Sequence, residues 1–160
     1  MVDEVMRDMI IYFGCDVTRI NHAIKVYGFS KTIGELENLD KKEQLILEVT
    51  AILHDIGIKV SEEKYNSSAG KYQEIEGPAV AKGMLEKYNL PQDVLRRILY
   101  IIGNHHSYNK IDGNEFQILV EADCLVNIFE DKMDKQAIEH IKNKCFKTKS
   151  GLSLIGSIYQ

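Results

Sequence analysis

Apolar residues recur at helical spacing along most of the chain, and the breaks in that rhythm mark the elements. Val2, Val5, Met6, Met9, Ile10 and Phe13 share a stripe, which predicts an amphipathic opening helix over residues 2–13 that Gly14 ends. Asp16 is placed to cap a second helix running to about Leu36. Ile20, Ile24 and Tyr27 lie on one of its stripes, and His22, Val26, Phe29 and Ile33 on another. Between Lys41 and Ile56 the apolar residues Leu45, Ile46, Leu47, Val49, Ala51, Ile52, Leu53 and Ile56 cover more than one face, the pattern of a helix buried among other helices. Asp40 and Glu43 supply a capping box at its start, and Gly57 reads as a left-handed stop at its end.

Residues 59–72 are polar and contain Ser and Gly, so they predict a long loop of the kind that often carries function. Gly77 and Pro78 fit the cap and first turn of a helix reaching about Tyr88. Pro91 opens another that ends near Asn104, directly before His105 and His106. After a second loop over residues 107–114, a helix over 115–129 carries Ile118, Leu119, Ala122, Leu125 and Val126, with Asp123 set among them. Residues 134–146 predict one more helix, and the tail from Gly151 is apolar but too short to assign. No strand pattern, repeat or linker interrupts this series. The expected fold is therefore all-α, one domain over residues 1–160 built as a compact bundle of about six to seven helices.

Composition narrows the setting. A chain of 160 residues can bury roughly two thirds of its extended surface in one core. With 44% hydrophobic residues, 28% charged residues and two prolines, it is composed like a globular protein rather than a disordered one. A net charge of −4 with mixed signs offers no basic footprint for nucleic acid or an anionic membrane. Cys15, Cys124 and Cys145 are widely spaced and form no CxxC pair, which fits a reducing cytoplasm better than a disulfide framework. No basic leader and no run of about 20 apolar residues is present, so a cytoplasmic location without a membrane partner is expected. A homo-oligomer is compatible with the sequence.

The candidate chemistry begins at His54 and Asp55, which close the most apolar helix. Unpaired in such a setting, an imidazole and a carboxylate would cost several kcal/mol, on the order of the whole stability margin. A bound cation removes that cost, and the negative end of the helix dipole favours one there. His22 and Asp123 are likewise set in apolar helical segments, whereas His140 lies on a charged helix and reads as solvent-exposed. In order and type, His22, His54-Asp55 and Asp123 resemble the signature of the HD superfamily of metal-dependent phosphohydrolases. The likeness spans about residues 18–130 and includes the His-Asp-Ile-Gly run and the helix around Asp123. It implies a metal-dependent phosphohydrolase, a phosphomonoesterase or phosphodiesterase that acts through metal-activated water on a small phosphate ester, with a nucleotide favoured.

A second set resembles the branch of that superfamily that includes the HD-GYP phosphodiesterases, in which a further His and a later His-His pair bind a second ion. His105 and His106 match the later pair, and Glu76 stands nearest the place of the intermediate His, with Glu74 as runner-up. The resemblance thus implies one ion held by His22, His54, Asp55 and Asp123, and a second held by Glu76, His105 and His106, with Asp55 bridging. Ser107 to Phe116 lack the Gly-Tyr-Pro motif, so cyclic di-GMP is not implied. Three carboxylates against two divalent cations would leave a formal charge of about +1, which favours harder ions such as Mn, Fe or Mg over Zn, with Co and Ni also candidates. Asp55 and Lys59 are the candidate catalytic residues, and Lys59, Lys71 and the Ser67–Gly70 backbone are candidate phosphate contacts. Arg19 has an equal claim to a carboxylate on a neighbouring helix. Two other readings stay open: a di-iron oxygenase on the same fold, and a non-enzymatic sensor that binds metal or nucleotide.

Overall fold

The computed structural model describes residues 1–159, and among them it contains nine α-helices and no strand. Helix α1 (Val2–Phe13) buries Val5, Met9 and Phe13 and ends at Gly14 with φ 62°, a left-handed value that favours glycine. Helix α2 (Val17–Leu36) starts where the Asp16 side chain accepts from the Arg19 backbone N–H. Helix α3 (Lys41–Leu53) opens on the expected capping box between Asp40 and Glu43. It is buried on nearly every side and packs against α1 and α2, and its other neighbours are α6 (Gln92–Ile102) and α7 (Asn114–Glu130). Leu47, Val49, Ala51 and Leu53 lie in one continuous apolar core with Val26, Ile101, Ile118 and Ala122. Each large side chain buried there contributes about 1.5–3 kcal/mol. None of the described helices is long and apolar enough to cross a membrane.

The all-α reading holds, and the extra helices arise in two places. Residues 59–72 are not one long loop: α4 (Ile58–Tyr65) follows directly on the turn after α3, and α5 (Gly70–Leu85) begins well before Gly77. Pro78 sits inside α5, where its missing N–H leaves the Glu74 carbonyl without its helical partner. The tail forms α9 (Lys149–Tyr159), after α8 (Lys135–Cys145). Its start is set by tertiary contacts. The fully buried Glu121 accepts from the Lys147 N–H at 2.7 Å, the Thr148 N–H at 2.9 Å and the Thr148 hydroxyl at 2.5 Å, while Glu37 accepts from the Ser150 N–H.

Gly57 also differs from expectation. Its φ of −75° and ψ of −13° are ordinary right-handed values, so no left-handed stop is needed there. Glycine is required because the turn lies against α5: a Cβ on Gly57 would sit 2.7 Å from the Gly77 nitrogen and 2.8 Å from the Gln73 carbonyl oxygen. Backbone cannot yield as a flexible side chain can. Gly57→Ala should therefore destabilise the protein by about 1–3 kcal/mol. Gly28→Ala, on an exposed helical face with nothing within 4 Å of the new Cβ, should stabilise it by about 0.5–1 kcal/mol. Urea unfolding of both variants checks the pair; equal effects would discount the close approach.

Candidate metal centre

The side chains that meet at the centre come from four helices or helix ends. His22 projects from α2, His54 and Asp55 from the end of α3, His105 and His106 from the end of α6, and Asp123 from α7. They form two groups whose ligand-type atoms lie within 4.8 Å of one another: His22, His54 and Asp123 in one, Asp55, His105 and His106 in the other. In the first, His22 Nε2 is 3.2 Å from His54 Nε2 and 3.1 Å from Asp123 Oδ1. Asp55 lies between the groups. Its Oδ2 is 3.6 Å from His22 Nε2 and 3.5 Å from His54 Nε2, and its Oδ1 is 3.4 Å from His105 Nε2.

Three of the imidazoles have their outer nitrogen tied off. His54 Nδ1 donates to the Ala51 carbonyl and His105 Nδ1 to the Ile102 carbonyl, each at 2.8 Å, and His22 Nδ1 donates to Glu130 Oε2 at 2.8 Å. A carbonyl can only accept, so the Nε2 lone pairs of His54 and His105 are turned inward as acceptors. His105 Nε2 is buried and has no hydrogen-bond partner. An orphaned acceptor of this kind, beside a carboxylate oxygen and a second imidazole, fits a cation, and the donor set suits a divalent one.

The electrostatics follow from this crowding. Burial pushes the His54 imidazole down, but Asp55 and Asp123 outweigh it and lift it to about 9. Burial likewise opposes the charged form of His22, which Asp123 still raises above its ordinary value. Asp55, despite burial, is held well below the usual carboxylate range by His54 and His105, and Asp123 by His22 and His54. Burial and the neighbouring His105 push His106 down to about 4, so it is neutral near pH 7.

The other expected site residues are distributed differently. Glu76 belongs to neither group: its oxygens accept from Lys64 Nζ and the Tyr65 hydroxyl, both at 2.8 Å. Glu74 accepts from the His106 N–H and the Ser107 hydroxyl, fixing the turn that carries the paired histidines. The α5 side chain that reaches the second group is Gln73. Its amide nitrogen donates to the Ser68 carbonyl at 2.7 Å, which turns Oε1 toward His106 Nε2 at 3.3 Å. Lys59 and Lys71 are exposed and lie over the rings of Tyr12 and Tyr72 rather than over the centre. Arg19 pairs with Asp16 and with Glu62 on α4. In the Ser67–Gly70 stretch, Ser68 lines the cavity, and a Cβ on Gly70 would lie 2.7 Å from the His106 ring. His140 is exposed.

Sequence reasoning also missed Glu130 and Asn127. Glu130 holds His22 and is itself held by Lys25 Nζ at 2.5 Å; Asn127 donates to Asp123 Oδ1 at 3.0 Å. The spacing Asp123, Asn127, Glu130 on one helix could have flagged both, because residues three and four apart share a face. A cavity of about 580 Å³ opens on the centre, lined by Thr18, Arg19, His22, Asp55, Ile58, Ser68, Gln73, His106, Asp123, Asn127, Glu130 and Asp131.

The HD domain family model matches residues 19–137. Among solved structures, the fold is similar to a predicted HD superfamily hydrolase from an uncultured Thermotogales bacterium, with a TM-score of 0.71 and 20% sequence identity over 98% of this chain and 84% of that one. No curated protein matches the chain by sequence.

Two outcomes are expected. In chelator-treated protein, the proton on His54 contributes stability in full below its ordinary value of 6.5, and that contribution is lost as pH rises through about 9. His22 acts in the same direction, and Asp55 and Asp123 stay ionised throughout this window. His106 has the opposite sign: stability falls as pH drops from 6.5 toward about 4. Urea unfolding across pH 4–9.5 should therefore show metal-free stability highest near pH 6.5, and a flat profile would contradict the arrangement. Separately, Glu130→Gln should weaken cation binding by about 10–100-fold while leaving helicity intact, read by calorimetric titration with Mn and by circular dichroism.

Proposed function

The chain belongs to the HD domain family, and from that premise we propose that it is a metal-dependent phosphohydrolase acting on a small phosphate ester, a nucleotide or related metabolite among them. The observation that carries the reading is the position of Asp55. One of its oxygens faces His22 and His54, and the other faces the unpartnered nitrogen of His105. A carboxylate so placed can serve two cations at once. The solved structure of similar fold is named as a hydrolase, which agrees with this reading.

When bound, two divalent cations supply Lewis acidity, lowering the pKa of a coordinated water and neutralising charge on a phosphoryl group. The chain's own residues do the positioning. His22, His54 and Asp123 present one face, and Asp55, His105 and His106 the other. Glu130, Ala51 and Ile102 fix the rings, and Gln73 orients His106. The cavity of about 580 Å³ beside them is the size for a small ester rather than a polymer. With Glu76 held by Lys64 and Tyr65, the centre has two carboxylates instead of three and a formal charge of about +2 with two cations. The balance moves toward imidazole and hence toward Mn, Fe, Co, Ni or Zn, away from Mg.

One observation supports a second reading. Each group offers two imidazoles and one carboxylate, a donor set that also suits ferrous iron in oxygen chemistry. Elemental analysis of anaerobically purified protein, with phosphate release measured from an ester panel, separates the two. The phosphohydrolase reading expects about two metal equivalents and oxygen-independent turnover. Asp55→Ala should remove both metal loading and turnover, while His106→Ala should keep one ion and lower activity. Two ions retained at full occupancy after Asp55→Ala would refute the bridge. Turnover that needs oxygen would favour the oxidase, and metal binding without turnover a sensor.

A further inference from the structure

We propose that the ester recognised here carries a single phosphate on a hydroxyl-bearing skeleton, so ribose- and sugar-type monophosphates are preferred over di- and triphosphates. The inference rests on the phosphohydrolase reading above and comes from the cavity wall beyond the metal-type groups.

Charge limits the number of phosphates. Among the described residues lining the cavity, Arg19 is the one with a permanently cationic side chain, and its guanidinium is already matched. Its Nη1 lies 2.8 Å from Asp16 Oδ2 and 3.1 Å from Glu62 Oε2, and its Nη2 lies 2.5 Å from Glu62 Oε1. Lys25, next to the rim, is committed to Glu130. The wall itself carries Glu130 and Asp131. One anionic group can be neutralised at the metal-type groups, but a second phosphate would face the Asp131 carboxylate with no free cation to balance it, an arrangement that is repulsive at short range.

Hydrogen bonding describes the rest of the substrate. The wall offers the Thr18 hydroxyl, the Asn127 amide and the Asp131 carboxylate. A hydroxyl donating to an ionised carboxylate is among the stronger neutral-group contacts, and a skeleton without hydroxyls would leave these groups facing apolar surface. No Phe, Tyr or Trp lines the cavity among the described residues, so a nucleobase finds no stacking platform. Recognition falls on the hydroxyls next to the ester. Free sugar phosphates and the ribose of nucleoside monophosphates share that chemistry.

The test uses the full chain loaded with Mn and compares kcat/KM for ribose 5-phosphate, pentyl phosphate, and the 5′-mono-, di- and triphosphates of one nucleoside. Pentyl phosphate has the same kind of primary alkoxide leaving group as ribose 5-phosphate and no hydroxyls. Ribose 5-phosphate should exceed it by about tenfold, and the monophosphate should exceed the diphosphate by about tenfold. Asp131→Lys should narrow the second ratio by admitting another phosphate. Equal rates for pentyl phosphate and ribose 5-phosphate, or for mono- and diphosphate, would overturn the proposal while leaving the phosphohydrolase standing. A nucleoside monophosphate about tenfold better than ribose 5-phosphate would place recognition on the base and overturn it too. No hydrolysis of any ester by metal-loaded protein would instead remove the reading on which it rests.

Discussion

The centre depends on one electrostatic constraint: imidazole lone pairs aimed at one another with half-buried carboxylates between them. His22 Nε2 and His54 Nε2 stand 3.2 Å apart, and both rings have their Nδ1 engaged elsewhere. Two facing lone pairs repel, so a positive charge has to sit among them. Without a metal ion, protons supply it, which is why Asp55 and Asp123 lift His54 to about 9 even though burial opposes the charge. A divalent cation does the same with better geometry for several donors at once. The centre is therefore built around a charge that the chain does not itself contain.

Helix ends make this arrangement affordable in hydrogen bonds. The last carbonyls of a helix have no intrahelical partner. His54 uses the Ala51 carbonyl at the end of α3, and His105 uses the Ile102 carbonyl at the end of α6, in each case three residues back. The same local device thus appears twice, orienting a ring and satisfying a carbonyl together. It also places both histidines where the helix dipole is negative, so backbone and side chains favour the same sign of ligand. His22 lies in mid-helix, where every carbonyl is engaged. It needs a side-chain acceptor instead, and Glu130 fills that role from across the bundle.

This difference explains what could be read from the sequence. His22, His54, Asp55 and Asp123 stood out because ionisable residues in apolar helical stretches need a reason, and the structure brings them together. Gln73 did not, because a glutamine on a polar stretch resembles any surface residue until its partners, Ser68 and His106, are known. Glu76 was singled out because it stands nearest the place of the intermediate His in the resemblance and at the expected start of a helix at Gly77 and Pro78, whereas α5 starts at Gly70 and Glu76 lies a turn beyond Gln73, turned to Lys64 and Tyr65. Lys59 was chosen for standing just beyond the motif and Lys71 for lying in the expected loop, but both fall on helices and each lies over a tyrosine ring. Helix α9 was hidden for a similar reason, since Glu121 and Glu37 anchor its start from elsewhere in the chain.

The spacing between the two metal-type groups depends on close approaches to α5 that glycines permit. The end of α3 and the end of α6 both press on α5, and at each contact a glycine removes the Cβ that would keep them apart. Gly57 meets the backbone of Gly77 and Gln73, Gly77 meets Ile102, and Gly70 meets the His106 ring. On the α3 side main chain touches main chain, which cannot shift as a rotamer can, while on the α6 side the glycines of α5 meet the Ile102 and His106 side chains. The proposed bridge by Asp55 would tolerate little drift, because both of its oxygens would have to stay in reach of their partners. The glycines are therefore part of the centre in a physical sense: they set the distance between His54-Asp55 and His105-His106, although none of them has a donor atom to offer.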